Sequence, residues 1–464
     1  MTGPGRIRPL VSRLLPDAFW TLLNNLAPVV GGLAVVKLIS AFVPPTDYGE
    51  VSLALGVVAL LTQLVAAPLL TAHQRLWFDH VRTGTTGEFL RSIEPALLRC
   101  AAVMAGLYLL IAIGYRAAGH PGYLRLAIPA LILAALQPHV NAALNLLEAS
   151  RRYKVLAYAQ SLLRAAPAIL LAGLLALPLP RSTAVVLAQA LAFGLVALVY
   201  SRSAIRGASL PRADAPSPSL VQADGMESRT GTASSVLAPP GPGDAVLGPE
   251  GTLGGGFGGA LFVFNLVSWV MTTSDRYLLE QFWSQDEVGV YAINYGFWSM
   301  PYLMLNGWLE TFTRSRLYAR AVDSDRAGMR RIVLARLGLA SSLGIAGTLL
   351  LFVLGPPIAR FLLGETYFRG MTLAMVVACA HLTYAIGNSF HGLLIATKRA
   401  DILLRAAALS AAVSVGSNLC LLPRMGILGA AVSAFASFLT WTVFLLLKSR
   451  PLLSHPNGDP AARG

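Results

Sequence analysis

Windows of about 20 predominantly apolar residues, the length needed to cross the hydrocarbon core of a bilayer, recur along the chain between charged or turn-forming stretches. Twelve emerge, and each predicts a membrane-spanning helix. The first six are Ala18–Phe42, Val51–Ala72, Pro95–Tyr115, Leu126–Leu147, Val155–Leu177 and Thr183–Tyr200. After a break come Phe257–Leu279, Val290–Thr311, Ile332–Leu354, Met371–Ile395, Ile402–Leu422 and Ile427–Leu447. Most connections are too short to fold by themselves, so nearly all the mass is expected inside the membrane. The first apolar run is too long for a signal peptide and lacks a persuasive cleavage site, so it is expected to be retained.

Composition agrees with that pattern. With 55% hydrophobic and 12% charged residues, the chain lies far below the roughly 25% charged fraction of soluble domains. Cys100, Cys379 and Cys420 are an odd count, each in an apolar run, and offer neither a disulfide framework nor a zinc site. The formal charge of +14 comes from 32 arginines and 4 lysines gathered between the apolar windows. That distribution indicates topology and not a nucleic-acid partner. With both termini cytoplasmic, 27 of the 36 basic residues fall on inside segments and adjoining helix ends, as the positive-inside tendency requires. Arg314–Arg336 holds seven arginines, read as a topology signal on a solvated loop, with contact to anionic lipid or a partner as the alternative.

Residues 201–256 have no aromatic side chain and are rich in Pro, Gly, Ser and Ala; they cannot bury enough apolar area to fold. They are expected to form a flexible cytoplasmic linker between an N-terminal lobe, 1–200, and a C-terminal lobe, 257–447, followed by a cytoplasmic tail, 448–464. Asp47-Tyr48-Gly49 with Gly56 recurs as Glu287-Val288-Gly289 with Gly296, and Ala149-Ser150-Arg151-Arg152 as Ala396-Thr397-Lys398-Arg399. Each pair falls at equivalent positions of the two halves. Six spans per half make the repeats parallel, related by an axis along the membrane normal. The fold class expected is therefore an all-α integral membrane protein of two six-helix lobes around a central cavity.

Candidate chemistry narrows the function. No Gly-Lys dipeptide occurs, which removes a phosphate loop for ATP. The longest external connection, Gly355 to Gly370, offers one carboxylate, Glu365, and no Ser/His/Asp or metal cluster is evident, so enzymatic catalysis is not expected. His73, His80 and His455 are expected to be solvated. Charge inside the spans is more informative, since an ionisable group at mid-membrane costs about 2.5–3.5 kcal/mol and should line a cavity or find a partner. Arg164 lies nearest the centre, while Lys37 and the Asp275-Arg276 pair lie towards the outer ends of their helices. Lys37 could instead snorkel to the outer interface, and Asp275 pair with Arg276 or Lys37 without touching substrate. Glu310 with Arg314 four residues on reads as a simple helical ion pair. His139, Asn141, Asn145, His381, Asn388 and His391 add polar groups suited to sugar hydroxyls or, for the histidines, to a coupling proton; interhelical hydrogen bonding accounts for them equally well.

Ser274-Asp275-Arg276-Tyr277 followed by Glu287-Val288-Gly289-Val290-Tyr291-Ala292 resembles the second-half signature of Wzx-type polysaccharide flippases, and Asp47-Tyr48-Gly49 its first-half counterpart. Asn418-Leu419 through Leu422-Pro423-Arg424-Met425-Gly426-Ile427-Leu428-Gly429-Ala430-Ala431 resembles that family's last helix junction. The resemblance covers nearly all of both lobes and excludes the linker. It implies an alternating-access exporter of undecaprenyl-pyrophosphate-linked oligosaccharide in a bacterial cytoplasmic membrane, with no cofactor beyond a coupling proton or sodium ion, or the membrane potential. A polysaccharide polymerase and glycosyltransferases would be its partners. Arg164 and Arg276 are then the pyrophosphate candidates, with Lys37 third and Asp275 orienting Arg276. The alternatives are a cation-coupled multidrug extruder of the same superfamily, which would want acidic groups in the cavity, and a membrane glycosyltransferase or polymerase.

Overall fold

The computed structural model describes residues 7–70, 80, 85–119, 122–150, 152–208, 256–322, 325–397 and 399–454. Twelve long helices account for nearly all of them. In the first half these are α1 (Ile7–Phe42), α2 (Pro45–Leu70), α3 (Thr86–Ala117), α4 (Ala127–Ala149), α5 (Tyr153–Leu174) and α6 (Arg181–Ala208). The second half supplies α7 (Gly256–Phe282), α8 (Gln285–Val322), α9 (Arg326–Tyr367), α10 (Met371–Ala396), α11 (Ala400–Met425) and α12 (Ile427–Ser454). The helix ends shift the expected boundaries. Helix α6 runs on to Ala208 and α12 to Ser454, while residues 209–255, the bulk of the expected linker, lie outside the described residues, as do His73 and His455. The external stretch 355–370, expected as a loop, is mostly a continuation of α9 to Tyr367.

Among the described residues nine of these helices are long and apolar enough to cross a membrane, and α1, α7 and α8 are not among the nine. Leu110, Ile128, Ile169 and Val353 stand exposed on the outer surface. In water such faces would be a liability; against lipid tails they are the matching solvent. The protein is a multi-pass membrane protein.

Both halves pack their helices in the same order. Helix α1 lies on α5 as α7 lies on α11, α4 on α6 as α10 on α12, and α3 on α4 as α9 on α10. The repeat read from short motifs is thus a repeat of architecture. Contact between the lobes is made by α1 and α2 against α7, α8 and α9.

The repeated glycines explain how closely the lobes meet. A Cβ on Gly49 would overlap the carbonyl oxygen of Gln285, and one on Gly289 that of Pro45. The two contacts are mirror images in sequence, because Pro45 and Gln285 are separated by the same 240 residues as Thr46 and Asp286, whose side chains hydrogen-bond at 3.2 Å. A pseudo-two-fold axis therefore passes between the first turns of α2 and α8, and only residues without a side chain let the backbones touch there. The later glycine motif serves a turn: Gly426 ends α11 with φ of +54°, and Trp283 packs on it and donates to Leu422 O at 2.7 Å.

Candidate functional site

Two breaks in helical geometry lie at the lobe interface. Five residues of α2, Thr62–Ala66, form a π turn just before Pro68, whose missing N–H and ring would otherwise clash with the preceding turn. Two carbonyls of the turn find partners, and one upstream of it is held across the interface. Asn265 Nδ2 of α7 donates to Gln63 O at 3.1 Å, Trp269 Nε1 donates to Gly56 O at 3.0 Å, and the Cys100 thiol of α3 lies 3.7 Å from Val65 O. Helix α9 breaks at Gly364 (φ +65°, ψ 177°), after Pro356 and Pro357. Lys37 Nζ donates to Phe361 O at 2.5 Å and lies over the Phe361 ring, while Ser40 Oγ donates to Leu362 O at 2.5 Å. A cation on the carbonyl end of a helix segment is favoured by the helix dipole.

The same outer half holds Asp275 and Arg276. Asp275 is buried, accepts the hydroxyl of Tyr291 at 2.5 Å and accepts the backbone N–H of Arg276 at 2.9 Å. Its carboxylate is tied to Tyr291 and to main chain, and forms no ion pair with the Arg276 guanidinium or with Lys37 among the described residues. Arg276 instead crosses the lobe interface, donating to Ser52 Oγ at 3.2 Å and lying 5.9 Å from the centre of the Tyr295 ring. Beside it, Tyr277 donates to Leu53 O at 2.8 Å, and Tyr367 donates to Val43 O at 2.8 Å. The outer ends of the lobes are thus joined by side-chain donors on main-chain carbonyls.

At the opposite end the lobes meet around a cavity. A cavity of about 270 Å³ opens between α4, α5 and α8, with Asn145, Glu148, Gln160, Asn306, Glu310 and Arg314 on its wall. Glu310 lies 25 residues into α8, about 37 Å along at 1.5 Å per residue, which brings it to the end that the arginine distribution leads one to expect on the cytoplasmic side. Here the simple helical pair expected of Glu310 and Arg314 proves to be part of a larger network. Arg314 reaches Glu310 at 3.2 Å and Glu148 of the other lobe at 3.5 Å. Arg336 of α9, only 3% exposed, pairs with the second oxygen of Glu310 and donates to Asn306 Oδ1 at 3.2 Å and Thr313 Oγ1 at 3.3 Å. Two carboxylates thus balance two guanidinium groups.

Arg164 lies one turn beyond Gln160 on α5, about 16 Å from the helix start, near the middle of a 30 Å core. A step of four residues keeps it on the face that carries Gln160 into the cavity, away from the outward face bearing Tyr158 and Ile169. Its side chain is exposed, and it forms no hydrogen bond or ion pair with any described residue. Helix α1 approaches the carbonyl of Arg164 closely, since a Cβ on Gly31 would overlap it.

The other sequence candidates are dispersed. Asn145 lines the cavity; His139, half-buried one and a half turns earlier on α4, has its Nδ1 3.3 Å from Ala135 O, and Asn141 is half-buried between them. His381 is buried, with its ring edge-on to Tyr295 (4.9 Å) and Phe438 (5.4 Å) and no hydrogen-bond partner for either nitrogen. Asn388 is buried on the same helix, one turn before His391, whose ring faces Phe264 and Trp441. His80, expected to be solvated, is half-buried, stacked on Phe89 at 4.4 Å with its Nδ1 2.7 Å from Thr85 Oγ1. Glu148, Asn306 and Arg336 were not legible as site residues. No group of His, Cys, Asp and Glu among the described residues could hold a metal ion.

Comparison with known proteins defines the class. Residues 255–371, which include Asp275, Arg276, Glu310, Arg314 and Arg336, match the family described as polysaccharide biosynthesis protein. No curated protein matches the chain. Among solved structures it is similar to a MOP superfamily transporter from Pyrococcus furiosus, at 12% identity over 95% of each chain with a TM-score of 0.66. It is similar also to lipid II flippase MurJ in its inward closed conformation, at 11% identity over 94% of this chain and 87% of that one, TM-score 0.60. An inward-facing multidrug resistance MATE family transporter matches at 12% identity over 94% and 98%, TM-score 0.60. The chain has the all-α, two-lobed fold of the MOP superfamily transporters.

Proposed function

We propose that this protein is a flippase that moves a lipid-linked, anionic saccharide from the cytoplasmic to the outer leaflet of a bacterial cytoplasmic membrane, for surface polysaccharide synthesis. Undecaprenyl-pyrophosphate-linked oligosaccharide is the substrate class. The observation that carries the reading is Arg164, an accessible guanidinium near mid-membrane, unpaired among the described residues and one helical turn from Gln160 of the cavity wall. A cation left in that position needs an anion to offset its desolvation, and a diphosphate is a strong bidentate acceptor for arginine. The family match to polysaccharide biosynthesis proteins and the fold shared with a lipid II flippase support the same reading.

Passage of a sugar head through lipid would cost about 4–8 kcal/mol per unpaired hydroxyl, which a polar path between the lobes avoids. With the cytoplasm negative, moving two negative charges outward gains roughly 4–5 kcal/mol at 100 mV, so transport runs without ATP. A cation-coupled extruder would want free carboxylates on the cavity wall. Both acids there, Glu148 and Glu310, are paired with arginine.

The test is transport by the purified chain in liposomes carrying undecaprenyl-pyrophosphate-linked oligosaccharide, read by lectin access to the receiving leaflet. Arg164→Ala is expected to slow transfer roughly 10- to 100-fold, the loss of one charge-assisted contact of about 1.5–3 kcal/mol, with unchanged yield of folded protein. Undiminished transfer by that variant removes Arg164 from the path and the reading with it.

A further inference from the structure

The charge balance of the cavity differs from that of Arg164, and the difference separates two kinds of recognition. We propose that the cavity between α4, α5 and α8 is a subsite for the uncharged hydroxyls of a sugar, distinct from the anion position at Arg164; this rests on the flippase reading above. The ionised groups that line the cavity are already neutralised, Arg314 by Glu148 and Glu310, with Arg336 behind them on Glu310; Arg164, one turn further along α5, stands outside that lining. A phosphate entering there would meet carboxylates as well as guanidinium groups and find no free cation.

Amides remain. Asn145 and Gln160 hydrogen-bond no other described residue although both line the cavity, and Asn306 spends its carbonyl oxygen on Arg336 while its NH₂ stays available. A carboxamide donates and accepts at once, as a sugar hydroxyl does, so three amides around one space match a polyhydroxylated ring better than an ion. The space of about 270 Å³ equals roughly nine waters at 30 Å³ each, enough for a sugar residue. Gly307 leaves the α8 wall without a side chain between Asn306 and Glu310, opening the backbone to a flat ring. Gln160 and Arg164 are helical neighbours about 5–6 Å apart. One ligand with a sugar attached to a diphosphate therefore reaches both, the phosphate deeper in the membrane and the sugar nearer the cytoplasm.

Binding by the purified full-length chain decides the matter, with two probes: undecaprenyl pyrophosphate alone, and the same lipid carrying a neutral disaccharide drawn from glucosyl, galactosyl, mannosyl and N-acetylglucosaminyl heads. The wild type should bind at least one glycosylated probe tenfold or more tightly than the bare lipid. Combining Asn145→Ala with Gln160→Ala should abolish that increment and leave the bare-lipid affinity within twofold, which also reports an intact fold. Arg164→Ala should weaken both probes alike. Equal binding of bare and glycosylated lipid by the wild type, or loss of bare-lipid binding in the amide variant, overturns the sugar subsite while leaving Arg164 in place. Binding of neither probe overturns the flippase reading and the subsite together.

Discussion

Arg336 shows how much of the inner end depends on single side chains. It is the buried member of the four-residue ion network, and removal of one partner of such a pair strands the other's charge, at about 3–5 kcal/mol. Arg336→Ala should therefore reduce folded yield and melting temperature severely, with Glu310→Gln restoring part of the loss, as thermal unfolding in detergent would read. Substitution at Gly289 acts differently. Even alanine there meets the Pro45 carbonyl, and overpacking of this kind costs about 1–3 kcal/mol. That cost falls on the state with the outer ends together, so Gly289→Ala should raise labelling of an outer-half cysteine such as Ser52→Cys by an impermeant thiol reagent about 5- to 100-fold. Arg164, Lys37, Asp275 and Arg276 were legible in sequence because charge in an apolar run is conspicuous. Their partners were not: Tyr291, Ser52 and the Phe361 carbonyl come from other helices. Glu148 carried no signal in the sequence and Arg336 fell in the basic stretch read as a topology signal, since only tertiary contact brings them to Arg314 and Glu310.

The helices themselves were readable because hydrocarbon imposes one length and one composition. Departures from that rule fall on α1, α7 and α8, the three that are not among the nine candidate spans, and all three lie at the lobe interface. Irregular backbone was less legible. Pro68 suggests a bend, but a π turn whose Gln63 carbonyl is held by Asn265 depends on the neighbouring helix; likewise the break at Gly364 is completed by Lys37 and Ser40. This gives Lys37 a test separate from that of Arg164. As a cap on the end of an α9 segment it contributes about 0.5–1 kcal/mol, so Lys37→Met should lower thermal stability slightly and leave affinity for undecaprenyl pyrophosphate unchanged. A loss of lipid affinity equal to that of Arg164→Ala would place Lys37 on the transport path instead.

For the whole molecule, the two ends of the lobe interface are closed by different physics. The inner contact, Arg314 to Glu148, is a partly exposed ion pair, of the kind worth about 0–1 kcal/mol. Removing it with Glu148→Gln should increase modification of a Gln160→Cys reporter from the cytoplasmic side by up to about fivefold, read on inverted vesicles. No change in that variant would show that Glu148 does not hold the lobes together. The outer contact has no ion pair between the lobes among the described residues; it rests on touching glycine backbones and on hydrogen bonds, several from neutral donors to peptide carbonyls and others in which one partner, Lys37, Arg276 or Asp286, is charged. Mobile counter-ions weaken the first and leave the second nearly untouched, the Debye length shrinking from about 10 Å at 0.1 M to 3 Å at 1 M. Concentrated electrolyte should thus unlatch the cytoplasmic doorway alone, making ionic strength a one-sided handle on which way this molecule faces.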